Sequence, residues 1–350
     1  MSIPQTTKQW VIKRPEGISG LEMQEVPIPK LGQTDVLIKV HAVSLNYHDI
    51  GVVDGHWPNI PKDLVAASDG AGVVVAVGSN VNGLQPGDKV TTVMNGAFKS
   101  GQIKLEFVDL LIGTQLHGVL SEYAVVPEGY LMPLPRNLSF IEGSTLPVAG
   151  LTAWNALHGA PGRPLLPGQW ILTQGSGGVS TFVILFAKIA GAKVIATTSS
   201  PAKAEKLKKM GADYVINYKE VEEWGQQARD LTPGKEGVDL VVEIGGGVTL
   251  AQSIIAVKAD GLISVVGIRG GPAEKEPALV DMFFRFCTLR IAYVGPRSQF
   301  EDMNRAIEAN NIKPIVDERI FSLKEAREAY QYMEEMKQVG KICIKVSEEA

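Results

Sequence analysis

Runs of four to six apolar residues recur along this chain, and they change character about halfway. In the first part they are short and punctuated. Val36–Val43 alternates as a strand with one buried face, and Gly70–Gly78 is a strand bounded by glycines. Leu84–Val90 carries turn chemistry into Thr91–Val93, and Ser121–Pro127 reads as another strand. Many short strands separated by Pro and Gly predict a β-rich, barrel-like domain.

From Pro147 the period lengthens. Leu151–Leu157 reads as helix, and Trp170–Ser200 reads strand, glycine turn, helix, strand, with the helix from Val179 to Ala190 ended by Gly191. The alternation continues through a helix at Lys203–Met210 and strands at Tyr214–Asn217, Val238–Glu243, Leu262–Val266 and Leu289–Val294. Six strands separated by helices predict a doubly wound parallel sheet. The tail returns to mixed elements: helix at 300–310, strand at 315–321, helix at 323–336 and a last strand at 340–346.

The glycine turn is where this pattern acquires chemistry. Gly175-Ser176-Gly177-Gly178-Val179 follows a buried strand and opens a helix, the context in which glycines let a backbone approach a pyrophosphate at a helix N-terminus. Ser180 stands where the third glycine of the usual fingerprint would be, and is small enough to keep helix and strand close. This is a Rossmann unit. An NAD site places a carboxylate about twenty residues further on. Here that place holds Thr197-Thr198-Ser199-Ser200 followed by Lys203, hydroxyls and a cation that suit a 2′-phosphate. The cofactor expected is NADPH. Ser199-Ser200-Pro201 also reads as a cap for the next helix, and the two roles are compatible.

Composition narrows the class without deciding it. The 350 residues carry a formal net charge of −4 and are 45% hydrophobic, which describes an ordinary globular chain long enough for two domains. No basic block points to nucleic acid or an anionic membrane, and no apolar run approaches a membrane span. The N-terminus lacks signal-peptide regions. With only Cys287 and Cys343, each read as a small buried hydrophobe, a cytoplasmic setting is expected.

Several motifs in order resemble the medium-chain dehydrogenase/reductase superfamily over essentially the whole length. They are Gly70-Ala71-Gly72-Val73-Val74, Pro86–Val90, Pro147–Trp154, Gly177-Gly178-Val179, Gly211–Tyr218 and Gly340-Lys341-Ile342. The resemblance implies a GroES-like domain from both chain ends (1–147 and 295–350) around a Rossmann domain (148–294). It also implies pairing through the sixth strand, hence a homodimer or homotetramer. Where zinc-dependent members place their ligands, this chain has Leu45-Asn46-Tyr47-His48-Asp49 and Ser68-Asp69, and the stretch 93–120 contains no cysteine. His41, His48, His56, His117 and His158 show no metal-ligand spacing, so no metal is expected.

The resemblance is therefore to the zinc-independent quinone oxidoreductase-like and enoyl reductase-like branches. It implies that Asn46, Tyr47 and His48 line the substrate site and that Lys203 and Tyr218 contact the 2′-phosphate. Thr152, Gly245, Gly267, Ile268, Val294 and Gly295 fall in segments that line the cofactor. Asp69 is expected behind the residues that touch substrate. Three functions stay open: an NADPH-dependent reductase of quinones, enones or other conjugated acceptors; a zinc-free alcohol dehydrogenase or carbonyl reductase; and an NADPH-binding protein with little turnover.

Overall fold

The computed structural model describes residues 3–348. The chain divides into two units, one made of residues up to Ala149 together with those from Pro296 on, the other spanning Gly150–Gly295.

The first unit begins with β1 (Thr6–Ile12), β2 (Leu21–Pro27), β3 (Asp35–Ser44), β4 (Leu64–Val65), β5 (Asp69–Val77), β6 (Lys89–Thr92), β7 (Tyr123–Pro127) and β8 (Leu131–Pro133). Helices α1 (Tyr47–Val53) and α2 (Phe140–Ser144) complete this part. The second unit holds β9 (Trp170–Gln174), β10 (Lys193–Thr198), β11 (Tyr214–Asn217), β12 (Val238–Glu243), β13 (Val257–Val265) and β14 (Thr288–Ile291). Its helices are α3 (Leu151–His158), α4 (Gly178–Ile189), α5 (Pro201–Lys209), α6 (Trp224–Asp230), α7 (Gly247–Ala256) and α8 (Leu279–Phe283). The chain then returns to the first unit with α9 (Arg297–Ala309), β15 (Val316–Ser322), α10 (Ala326–Glu334) and β16 (Lys341–Lys345).

In the first unit, β16 from the C-terminal segment pairs antiparallel with β3, at Cys343 opposite Ser44. That pairing closes a sheet ordered β15-β16-β3-β5-β6-β8, with β7 also on β3, beside a smaller β2-β1-β4 sheet. The strands form because their inward positions are β-branched or aromatic. Trp10, Ile38, Val40, Leu64, Leu120, Phe321 and Tyr330 meet in one core. Each such side chain, fully buried, contributes roughly 1.5–3 kcal/mol of transfer free energy. Among the five histidines, His41 stacks on Phe140 at 4.4 Å, His117 accepts from the Val65 N–H and His158 packs on Trp154. Cys343 is buried and Cys287 half-buried.

The second unit is a six-stranded parallel sheet ordered β11-β10-β9-β12-β13-β14, the doubly wound arrangement. Strand order reverses between β9 and β12, and in doubly wound sheets ligands bind beyond the carboxyl ends of the strands at such a switch point. The segment after Leu45, to which the sequence reading gave no element, is helical from Tyr47, because the Asp49 carboxylate accepts from the Asn46 N–H at 2.7 Å and starts a helix there. One expectation needs correction: the sixth strand stops at Ile291 rather than Val294. The Asn155 amide takes the Tyr293 carbonyl and Gly295 has φ +137°, so the backbone leaves the sheet.

Candidate functional sites

The glycine turn of the second unit is open where a phosphate would lie. Gly175 has φ +78°, a conformation only glycine adopts without strain, and its N–H donates to the Thr197 carbonyl at 2.8 Å. Gly177 is extended (φ −80°, ψ −175°) and caps α4. A Cβ built on either glycine would meet nothing within 4 Å. These glycines thus leave space outside the protein instead of relieving a clash within it. Ser180 is buried and its hydroxyl donates to the Gln174 carbonyl at 2.6 Å, pinning the helix to the strand. Gly178 and Val179 supply the first turn of α4, where N–H groups have no partner inside the helix. These residues fit a dinucleotide's pyrophosphate.

Around that turn, the ends of neighbouring strands bring further predicted residues to one edge. Thr198 closes β10, and its carbonyl accepts from the Tyr218 N–H at 3.0 Å, which draws Tyr218 beside Thr198 and Ser199. Ser200 caps α5, accepting from the Lys203 N–H at 3.5 Å, with Pro201 in the first turn. The cap expected from the sequence is therefore present. Gly267 and the exposed Ile268 follow β13, and Val294-Gly295 follow β14 on the same edge. Thr152 lies buried in α3.

A buried polar network that the sequence did not flag holds the Gly245 turn. Gln174 Oε1 accepts from the Ile244 and Gly245 N–H groups at 2.9 and 3.1 Å, and its Nε2 donates to Glu243 at 2.7 Å. Glu243 also accepts from Gly246 N, Ser253 Oγ and Thr249 Oγ1. Both residues end buried strands, where a polar side chain needs partners. That position in an apolar run was the available signal.

The candidate catalytic residues sit in the first unit, and the structure separates the three. Asn46 is buried. Tyr47 is 48% exposed. His48 lies against the Trp57 ring at 4.4 Å, with Nε2 2.7 Å from Thr114 Oγ1. Burial pulls the His48 imidazole down to about 4, so it is neutral at pH 7.

Asn46 belongs to a different cluster, centred on a lysine that the sequence reading used only as part of a family motif. Lys341 Nζ is 2.8 Å from the Leu45 carbonyl, 2.5 Å from Asn46 Oδ1 and 3.4 Å from Asp69 Oδ2. Its side chain is 3% exposed and that of Asp69 0%. Asp69 also accepts from Ser68 Oγ at 2.7 Å and from the Val148 N–H at 3.3 Å. Asp49 completes the group. Burial first, and the Asp69 charge second, raise its carboxyl to about 7. Two carboxyl groups and one ammonium therefore share a site almost without water.

Two family patterns match the chain: an alcohol dehydrogenase GroES-like domain over residues 32–136, and a zinc-binding dehydrogenase over residues 178–309. A zinc-type alcohol dehydrogenase-like protein of Schizosaccharomyces pombe is 38% identical over 336 residues, covering 94% of this chain and 96% of the relative. An NADPH-dependent alkenal/one oxidoreductase of Arabidopsis thaliana chloroplasts is 31% identical, covering 98% of this chain and 80% of the relative. The crystal structure of an NAD-dependent alcohol dehydrogenase superposes with a TM-score of 0.88 at 31% identity, over 97% of this chain and all of that one.

The second pattern implies zinc, and the donor set does not fit it. Among the described residues no three His, Cys, Asp or Glu side chains converge on a metal-sized site. The cluster offers a backbone carbonyl, an amide oxygen and one close carboxylate around an ammonium, which repels a cation. Burial pushes the nearby Cys343 thiol up to about 12, and its Sγ lies 4.0 Å from Ser144 Oγ and 3.8 Å from the Ile141 carbonyl, not against the carboxylates of the cluster.

Proposed function

Since the chain belongs to the medium-chain dehydrogenase/reductase superfamily, in its quinone oxidoreductase-like branch, we propose that it is an NADPH-dependent, metal-independent reductase of conjugated acceptors. The observation that carries this reading is the Asn46–Lys341–Asp69 cluster. It supplies hydrogen-bond donors and a fixed positive charge but no Lewis acid. A saturated carbonyl needs strong polarisation at its oxygen before it accepts hydride. A quinone or enone delocalises the incoming charge and needs only hydrogen bonds at that oxygen.

Bound NADPH would supply the hydride. The chain's own residues would do the rest. Gly175–Val179 receive the pyrophosphate, and Thr198, Ser199, Lys203 and Tyr218 surround the 2′-phosphate. Gly245, Gly267, Ile268, Val294, Gly295 and Thr152 line the cofactor. Asn46 donates to the acceptor oxygen. His48, being neutral, is a poor acid at pH 7, so the proton is returned by the Tyr47 hydroxyl.

The sixth strand supports a homodimer. β14 pairs only with β13 among the described residues, and Ile291 on it is 71% exposed; Phe283, Phe284 and Phe286, which precede the strand in the chain, are 66–72% exposed. An exposed apolar sheet edge of this kind is normally covered.

The test is cofactor consumption, with NADPH and NADH in parallel, against a quinone, an α,β-unsaturated ketone and a saturated aldehyde. Turnover of the first two with NADPH preferred is expected. Turnover of the aldehyde alone would favour an alcohol dehydrogenase, and tight NADPH binding with no turnover would favour a binding protein.

A further inference from the structure

Asn46 occupies the N-cap of α1, where an asparagine side chain ordinarily accepts from the N–H groups of the first turn. Here its side chain makes no such bond. The cap is made the other way round, the Asp49 carboxylate accepting from the Asn46 N–H at 2.7 Å. The Asn46 amide instead turns to Lys341, with Oδ1 2.5 Å from Nζ. An ammonium has three donors and no acceptor, so the amide must present its oxygen there. The three acceptors around Lys341 (Leu45 O, Asn46 Oδ1 and Asp69 Oδ2) match its three protons. The consequence falls on the other end of the amide. Nδ2 is enclosed and has no partner in the protein, although Asn46 is only 8% exposed. An unpaired buried donor costs about 1–3 kcal/mol unless something accepts from it.

We propose that Lys341 is a positioning residue whose ammonium fixes the Asn46 amide with its NH2 turned away from Nζ, making Nδ2 the donor that receives the developing oxyanion. The inference rests on the reading of Asn46 as the residue that meets the acceptor. Without the ammonium the amide can rotate half a turn and offer a carbonyl oxygen to the same place, which would repel an oxyanion. Asp69 is the counterion of the ammonium, 3.4 Å away. Its remaining bonds, to Ser68 Oγ and Val148 N, hold it in place independently of Lys341.

A kinetic double-mutant cycle tests this, using Asn46→Leu, Lys341→Met and the pair of them. The readouts are kcat and KM for whichever acceptor the wild type reduces, and the NADPH dissociation constant. Removing one oxyanion donor typically lowers kcat by about 10²–10³, and Asn46→Leu should fall in that range. Lys341→Met should lower kcat by about 10- to 100-fold, the part of that loss due to a misoriented amide. In the Asn46→Leu background, Lys341→Met should cost no more than about twofold further, because residues that act through one another are not additive. Nucleotide affinity should change little throughout.

Losses that multiply in the double variant, or a Lys341→Met enzyme with intact kcat, would overturn the proposal. If Lys341→Met fails to fold, Asp69→Asn with Lys341→Met removes both charges together and carries the same prediction. A wild type active only on the saturated aldehyde, with the coupling present, would remove the acceptor assignment and leave Lys341 as stated. A wild type active on the enone, with multiplying losses, would do the reverse. A wild type that reduces no acceptor overturns both.

Discussion

The glycine turn of the second unit and the ammonium cluster of the first solve opposite problems. The turn is built to leave room. Gly175 and Gly177 face space that no protein atom fills, and the residues that shape it lie within a few positions of one another. The cluster is built to be full. It packs Asn46, Asp49 and Asp69 against Lys341, which stands 272 positions beyond Asp69, with two carboxylates and one ammonium almost out of water. An anion site can be made of backbone alone, whereas a site that must stabilise charge at a chosen atom needs side chains held from several directions.

If the cluster is as dry as its geometry indicates, Asp49 should dominate the pH response of stability. Its carboxyl titrates near 3.8 in an unfolded chain and at about 7 in the fold, so the unfolded state releases its proton first. Stability is therefore lost as pH rises between those values and is level above them. Asp49→Asn removes this loss. Its stability advantage over wild type should grow from pH 4 to pH 8 by an amount on the order of a few kcal/mol, measured by urea unfolding. A gap independent of pH would place Asp49 in contact with water.

The turn should respond in the other way, with binding lost and stability kept. Gly177→Ala adds a methyl where nothing stands and at dihedrals any residue adopts. It should weaken NADPH binding by about 10- to 100-fold, the worth of a charge-assisted hydrogen bond or two, with the thermal midpoint almost unchanged. A fall in the midpoint with binding intact would mean the open space has no ligand.

Two smaller effects sharpen the contrast. Lys203→Ala should raise the NADPH dissociation constant by about five- to tenfold and leave that for NADH alone, since a partly exposed cation contributes about 1 kcal/mol to a phosphate. Equal effects on both would assign Lys203 to the helix surface. Ile291→Lys, on the exposed edge strand, should shift the protein toward monomer in sedimentation while changing neither site. An unchanged sedimentation coefficient would remove that edge from the assembly.

The same contrast explains what was legible in the sequence. The doubly wound sheet and the glycine turn are written in consecutive residues, because a strand, a turn and a helix each declare themselves over short windows. The start of α1 was missed, since it depends on Asp49 reaching back to the Asn46 N–H. Asn46 was singled out, but its partner Lys341 stands 295 positions away and reaches it only because β16 pairs with β3. Glu243 and Gln174 were passed over as the last residues of apolar strands, although a buried polar residue in that place needs partners and so carries information. Long-range pairing, not local propensity, decides these contacts.

The central claim is that charge in this site is handled by hydrogen bonds around an ammonium and not by a metal. The most direct measurement is the turnover of an α,β-unsaturated ketone by protein stripped with chelator and assayed for residual metal. The account predicts a kcat equal to that of untreated enzyme at negligible metal content. Activity that disappears on stripping and returns with added zinc would contradict it.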